Sequence, residues 1–281
     1  GRGKAVGPGG RGAEGLSTPL SSAPAPAFKV VVPARYGSTR LPGKPLIDLG
    51  GKPLIRHVYE RASASAAEEV VVATDDERIS SACREFGAEV AVTRPDHRSG
   101  TDRIAEVIAA RGWAEDTIVV NLQGDEPCMP AALVDQVARD LGGHGRVGMA
   151  TLSYTIEDTA TLFDPHVVKV VIDAQGYALY FSRAPLPWHR DEFIGGARGL
   201  PRSVRFLRHI GLYAYRAGFL KRFVAWEPAP LELAESLEQL RVLWHGEGIH
   251  VTLAEAQPGP GVDTVADIPR VLAFLGLARD E

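Results

Sequence analysis

Three cations stand close together in one loop near the start of the chain: Arg35, Arg40 and Lys44, in "FKVVVPARYGSTRLPGKPL". Fixed cations with glycines between them suit a polyanion, because glycine lets the backbone approach while the charges attract. Gly37 and Gly43 lie one residue too far apart for a P-loop, and Pro45 stands where its magnesium-binding Ser or Thr belongs. A dinucleotide fingerprint fails as well, since no G-x-G-x-x-G follows the first strand and Pro33, Pro42 and Pro45 bar a helix. What remains is a proline-stiffened collar, either a phosphate site or a basic surface loop.

Two carboxylates offer the complementary chemistry. Asp125 in "NLQGDEP" follows a buried run, and Asp263 stands in "GVDT". Supplied from separate strand ends, the pair can hold Mg²⁺ against a polyphosphate, because a hard cation takes oxygen ligands. Taken singly, Asp125 reads as a turn residue and Asp263 as a helix N-cap. A third cluster, Arg94, Asp96, His97, Ser99, Gly100, Thr101 and Arg103, runs into a helix start; capping and surface pairing explain part of it but not its density. His209 and Tyr213 share one face of an expected strand, which a core histidine would also do. Glu238 and Gln239 sit in a segment whose Leu233, Leu237, Leu240 and Trp244 predict the apolar stripe of a single helix.

The elements that must position these residues alternate. "FKVVVPA", "EEVVVATD", "AEVAVT" and "DTIVVNLQGDEP" are separated by helical patterns at 53–65, 77–86, 101–110 and 131–141. That is the signature of βαβ units, and strands so continuously apolar are buried on both faces. The expected fold is α/β: a Rossmann-like, mostly parallel sheet flanked by helices, with its ligand at the carboxyl ends of the strands. The second half is less regular, with strands at "VGMATLSYT", "VVKVVIDA", "YALYFSR", "RHIGLYAYR" and "GIHVTLAEA", and reads as a smaller α+β portion.

Composition fits a small-molecule partner. The 281 residues are 45% hydrophobic and 23% charged with a formal charge of −4, which argues against a sequence-independent nucleic-acid binder. Cys83 and Cys128 lack metal spacing, so a reducing, cytoplasmic setting is expected, and no stretch approaches a membrane span. Residues 1–27 read as a flexible leader, leaving 28–281 as the domain: a nucleotide half at 28–145, a second half at 146–262 and a return at 263–281.

The order of "VVPARYGSTRLPGKPL", "ATDD", "TRPDHRSGTDR", "NLQGDEP", "DPHVVKVV", "YALYFSR", "RHIGLYAYR", "LEQLRVLW" and "GVDT" resembles the CMP-Kdo synthetases, the 3-deoxy-manno-octulosonate cytidylyltransferases of lipopolysaccharide synthesis. The likeness spans roughly 28–275, and the collar is its most specific part. It implies a nucleotide-diphospho-sugar transferase type of fold; a homodimer is expected from the apolar content of "VVKVVIDA" and "YALYFSR", more than a capping portion should expose. It further implies conversion of CTP and Kdo to CMP-Kdo and diphosphate with Mg²⁺ on Asp125 and Asp263. Arg35, Ser38, Arg40, Lys44, Arg94, Ser99, Gly100, Thr101 and Arg103 would meet CTP. Gln123, Arg183, His209, Tyr213, Glu238 and Gln239 would line the sugar. Another acidic sugar, such as an 8-amino analogue or a sialic acid, remains an alternative acceptor, and a non-catalytic nucleotide-binding regulator an alternative role.

Overall fold

The computed structural model describes residues 26–37, 41–196 and 199–278. Most of the expected leader, and with it Ser38 and Arg40, lies outside them. The first half builds β1 (Phe28–Ala34), α1 (Leu54–Ser63), β2 (Glu69–Thr74), α2 (Glu77–Glu85), β3 (Glu89–Val92), α3 (Gly100–Arg111), β4 (Ile118–Asn121) and α4 (Ala131–Gly143). Strands β3, β2, β1 and β4 are mutually parallel in that order, so β1 has a partner from each direction of the winding. The crevice of such a sheet opens above the carboxyl ends of β1 and β4.

The second half adds β5 (Met149–Thr155), α5 (Thr159–Phe163), β6 (Lys169–Ile172), β7 (Ala178–Ser182), α6 (Arg190–Phe193), β8 (Leu207–Arg216), α7 (Ala217–Phe223), α8 (Pro230–Glu235), α9 (Leu240–Trp244), β9 (Ile249–Leu253) and α10 (Ile268–Phe274). β8 enters the sheet beside β4 and runs antiparallel to both β4 and β5, while β9 closes the edge parallel to β5. Along this path only β8 runs against the others, so the sheet is mostly parallel. β6 pairs with the start of β8 and carries β7 as a hairpin partner.

Packing follows the alternation of side chains across the sheet. Val30, Val32, Val72, Val120, Leu212 and Ala214 face α1 and α4 on one side; Val31, Val71, Val119 and Tyr215 face α3 and α7 on the other. A smaller apolar cluster, including Leu162, Phe193 and Phe206, joins α5 and α6. Both cysteines are free and buried, and burial pushes the Cys83 thiol up to about 12. Among the described residues no helix is long and apolar enough to cross a membrane.

The single helix expected across Leu233 to Trp244 is two. Ser236 adopts φ 53°, the left-handed region that ends α8, and α9 starts at Leu240. Leu237 and Leu240 are buried, but Leu233 and Trp244 are exposed, so the stripe is not continuous. The break is held by Arg241, whose guanidinium donates to both oxygens of Glu232 at 2.8 and 2.5 Å. A buried fork of this kind is directional enough to override the helical periodicity.

Candidate functional site

Lys44 is the pivot of the site. Gly43 takes φ 71°, turning the collar into a short 3-10 segment that opens with Lys44. The Lys44 ammonium donates to Asp125 Oδ2 at 2.7 Å and to the Val262 carbonyl at 2.9 Å, and lies 3.7 Å from Asp263 Oδ1. Two carboxylates far apart in sequence thus meet at one cation. Their segments are also stitched together, because the Val262 amide donates to the Asp125 carbonyl at 2.9 Å. Asp125 lies in the turn after β4, which passes so close to β1 that a Cβ on Gly124 would stand 2.7 Å from the Pro33 carbonyl. Only glycine fits there.

Asp263 does not end a strand; it lies in the loop after β9. Nor is it a cap. Thr264 is the N-cap of the 3-10 turn Val265–Asp267, and the amides of Asp263 and Thr264 both donate to the Asp267 carboxylate. The Asp263 carboxylate stands at the mouth of the site, 58% exposed. Neighbouring Glu126 reports the local field. Burial, reinforced by the charges of Asp125 and Asp263, pushes its carboxyl up to about 8 against the opposing pull of Arg208 and Lys44. Asp125 and Asp263, meeting at Lys44, are oxygen donors of the kind that suits a hard divalent cation.

Two cavities meet at Asp125. One, of about 390 Å³, lies above the ends of β1 and β4 and is walled by Arg35, Lys44, His97, Arg98, Ser99 and Gln123. Its far wall is the start of α3, where Ser99 and Asp102 form a reciprocal capping box. Gly100 sits against the Pro33 ring, a Cβ there being 3.2 Å away. Arg103 is buried in that wall, 3.2 Å from Asp75 Oδ1 and donating to the Thr93 hydroxyl and the Arg94 carbonyl. Arg94 itself turns outward, exposed between Asp96 and Glu106. His97 faces the cavity while its Nε2 bonds Glu106. The second cavity, of about 440 Å³, continues past Asp125 to Glu126, Tyr154, Arg208 and the loop carrying Asp263.

The residues expected to face a sugar divide. Thr101 donates to Glu238, burial raises the Glu238 carboxyl, and burial, reinforced by the Glu238 charge, holds the Tyr213 phenol well above its ordinary range. His209 and Tyr213 lie 5.4 Å apart between ring centres. They keep a common face although β8 carries a bulge opposite Thr151 and Leu152. His209 is buried, edge-on to Phe181, with Nε2 3.0 Å from the Thr151 hydroxyl. Burial, helped by Arg208, lowers its pKa to about 3, so the imidazole is neutral. Gln123 donates to Asn121 at 3.3 Å, and Gln239 is buried at the start of α9. Arg183 stands apart: its guanidinium donates to the carbonyls of Glu235 and Pro165 at 2.8 and 3.1 Å, tying the end of β7 to α8.

Arg98, Glu126 and Arg208 escaped the sequence reading as site residues. Each sits inside a motif already singled out, and only the fold shows which side it faces. A further group of metal-type side chains, Asp140, His144 and His250, joins α4 to β9. His250 Nδ1 and the Thr252 hydroxyl bond the two Asp140 oxygens at 2.7 and 2.5 Å, and the two imidazoles stack 3.5 Å apart. Nearly parallel rings do not aim their lone pairs at one point, so the group reads as a clasp between helix and strand.

Comparison with known proteins places these features in context. A family model described as cytidylyltransferase matches residues 29–249. The chain is 60% identical over 249 residues to a 3-deoxy-manno-octulosonate cytidylyltransferase of Pseudomonas fluorescens, covering 89% of this chain and 98% of that protein. A Pseudomonas syringae protein of the same name is 58% identical over the same coverage. The solved structure of a CMP:2-keto-3-deoxy-manno-octonic acid synthetase complexed with CTP superposes with a TM-score of 0.81 at 42% identity, covering 89% of this chain and 99% of that one. A 4-diphosphocytidyl-2C-methyl-D-erythritol synthase, 15% identical with a TM-score of 0.58, shares the fold and covers 89% of this chain and all of its own.

Proposed function

The chain belongs to the cytidylyltransferase family, and from that premise we infer that it activates 3-deoxy-D-manno-octulosonate, joining it to CTP to give CMP-Kdo and diphosphate. The observation that carries the reading is Lys44 braced between Asp125 and Asp263 where the two cavities meet. A triphosphate needs cations and a metal-binding pair at one place, and its acceptor needs room beside it.

The anomeric C2 hydroxyl of the sugar acid attacks the α-phosphorus in line, the bond to the β-phosphate oxygen breaks, diphosphate leaves, and the hydroxyl proton passes to solvent. No protein nucleophile takes part. Arg35 and Lys44 meet the charge that grows on the leaving diphosphate. Ser38 and Arg40 of the collar, with Arg94, Ser99, Gly100, Thr101 and Arg103, belong to the CTP side. Gln123, His209, Tyr213, Glu238 and Gln239 form the sugar side, with Arg183 acting on it by fastening Glu235. Asp125 and Asp263 are the residues that would hold Mg²⁺, which when bound neutralises phosphate charge and acidifies the attacking hydroxyl. The setting is cytoplasmic and the product feeds lipopolysaccharide synthesis.

The active form is a homodimer. Exposed Leu179 on β7, with Trp188 and Ile194 around α6, supports this reading as apolar surface of the second half that a second subunit would cover. Sedimentation at micromolar concentration should report twice the chain mass; a monomer alone would overturn this. The activity is tested by diphosphate release from CTP, Kdo and Mg²⁺, with UTP, ATP, the 8-amino analogue and sialic acid as controls. Release with sialic acid and not Kdo would replace the acceptor, and CTP binding without turnover would make the protein a sensor.

A further inference from the structure

The "ATDD" run that ends β2 is claimed by neither reactant, yet it braces both walls of the nucleotide cavity. Asp75 faces Arg103 in the α3 wall. Asp76 caps α2 by accepting from the Arg78 amide, and the same carboxylate takes the Arg78 guanidinium as a fork, at 3.0 Å to Nε and 2.6 Å to Nη2. Held from behind, that group lies over the Tyr36 ring, its Cζ 3.3 Å from the ring centre. Tyr36 in turn sets the collar. Its carbonyl accepts from the Gly43 amide at 2.9 Å, and its ring presses so near that a Cβ on Gly43 would lie 3.1 Å away. Lys44 is the next residue.

We propose that Arg78 is a positioning residue for CTP: aimed by Asp76, it clamps Tyr36 and thereby fixes Gly43 and Lys44 at the nucleotide cavity. The inference rests on the reading of that cavity as the CTP site. A guanidinium on an aromatic face is a directional contact, so its loss frees the ring and the left-handed turn that abuts it. Because the Arg78 side chain is 59% exposed, its removal costs the fold little. The clamp acts before chemistry, on where the lysine stands when the triphosphate arrives.

Steady-state kinetics with CTP and Kdo varied separately test this in Arg78→Ala, Tyr36→Leu, Tyr36→Phe and the double variant Arg78→Ala/Tyr36→Leu. Arg78→Ala should raise the CTP KM about tenfold, with kcat within about twofold, an unchanged Kdo KM and an unchanged melting temperature. Tyr36→Phe keeps the ring face and should behave as wild type. The double variant should be no worse than Tyr36→Leu. An unchanged CTP KM in Arg78→Ala, equal rises in both KM values, or additive effects would overturn the proposal. Calorimetric CTP binding to wild type and Arg78→Ala reads the same weakening even if Kdo is not turned over, so failure of the clamp and failure of the assigned reaction are told apart.

Discussion

The Thr101 hydroxyl donates a 2.5 Å hydrogen bond to the Glu238 carboxylate, joining the first turn of α3 to the break between α8 and α9. The wall that α3 gives the first cavity is thereby bonded to Glu238, which we assign to the sugar. Glu238→Gln should lower kcat/KM for Kdo by at least about tenfold, since a short bond to a buried carboxyl is costly to lose. The CTP KM should move less than about threefold. Equal effects on both substrates in initial-rate kinetics would show that the bond serves the fold alone.

Asp125→Asn and Asp263→Asn should each reduce turnover by two or more powers of ten, because clamps on metal and phosphate supply several kcal/mol of transition-state stabilisation. The Mg²⁺ concentration for half-maximal rate should rise in both. Melting temperature should change little for Asp263→Asn, since the side chain is 58% exposed and Asn keeps its shape. Full activity in either variant at low Mg²⁺ would dismiss the paired site.

His209 gives a pH signature. Burial, with Arg208 beside it, holds its pKa at about 3, whereas an unfolded histidine titrates near 6.5. Its nearest ring and hydroxyl neighbours, Phe181, Tyr213 and Thr151, carry no charge at neutral pH. The unfolded chain therefore takes up the proton that the fold refuses. This share of stability is fully present above pH 6.5 and is lost as pH falls toward 3. Between pH 7.5 and 5, wild type should lose about 2 kcal/mol of urea-unfolding free energy more than His209→Gln. Parallel curves would mean that the site is wet.

His250→Ala should cost about 3 kcal/mol of stability, because it strips Asp140, which is fully buried, of a 2.7 Å donor. Activity per folded molecule should stay at the wild-type level, and added Zn²⁺ should not shift the melting temperature of the wild type. A zinc-dependent rise would make the clasp a metal site.

The parallel half was legible because its strands are unbroken apolar runs, a pattern that only two-sided burial demands. The meeting of Asp125 and Asp263 was legible too, though for an incomplete reason: Asp263 arrives on a loop tied to Asp125 by the Val262 amide, and not on a strand end. The helix break at Ser236 was hidden, since Leu233, Leu237, Leu240 and Trp244 keep helical spacing while the decisive contact is the tertiary fork from Arg241 to Glu232. The contacts of Arg183 were hidden for a related reason. Nothing in "YALYFSR" says that its guanidinium is spent on main-chain carbonyls. Arg208 and Glu126 needed the direction of β8 and the depth of the turn after β4, which no local pattern encodes.

The insertion of β8 between β4 and β5 sets a timetable for synthesis. Strands β1 to β4 can pair as soon as they leave the ribosome, but β4 then presents a bare edge of buried Ile118, Val119, Val120 and Asn121. Its partner, Leu207–Arg216, comes roughly ninety residues later, an interval on the order of ten seconds at about 5–20 residues per second. During that time the nascent chain carries an open apolar strand, the kind of template that recruits neighbouring chains. Shielding of the half-made sheet by a chaperone, rather than the stability of the finished one, should therefore limit how much active protein a cell obtains on rapid expression.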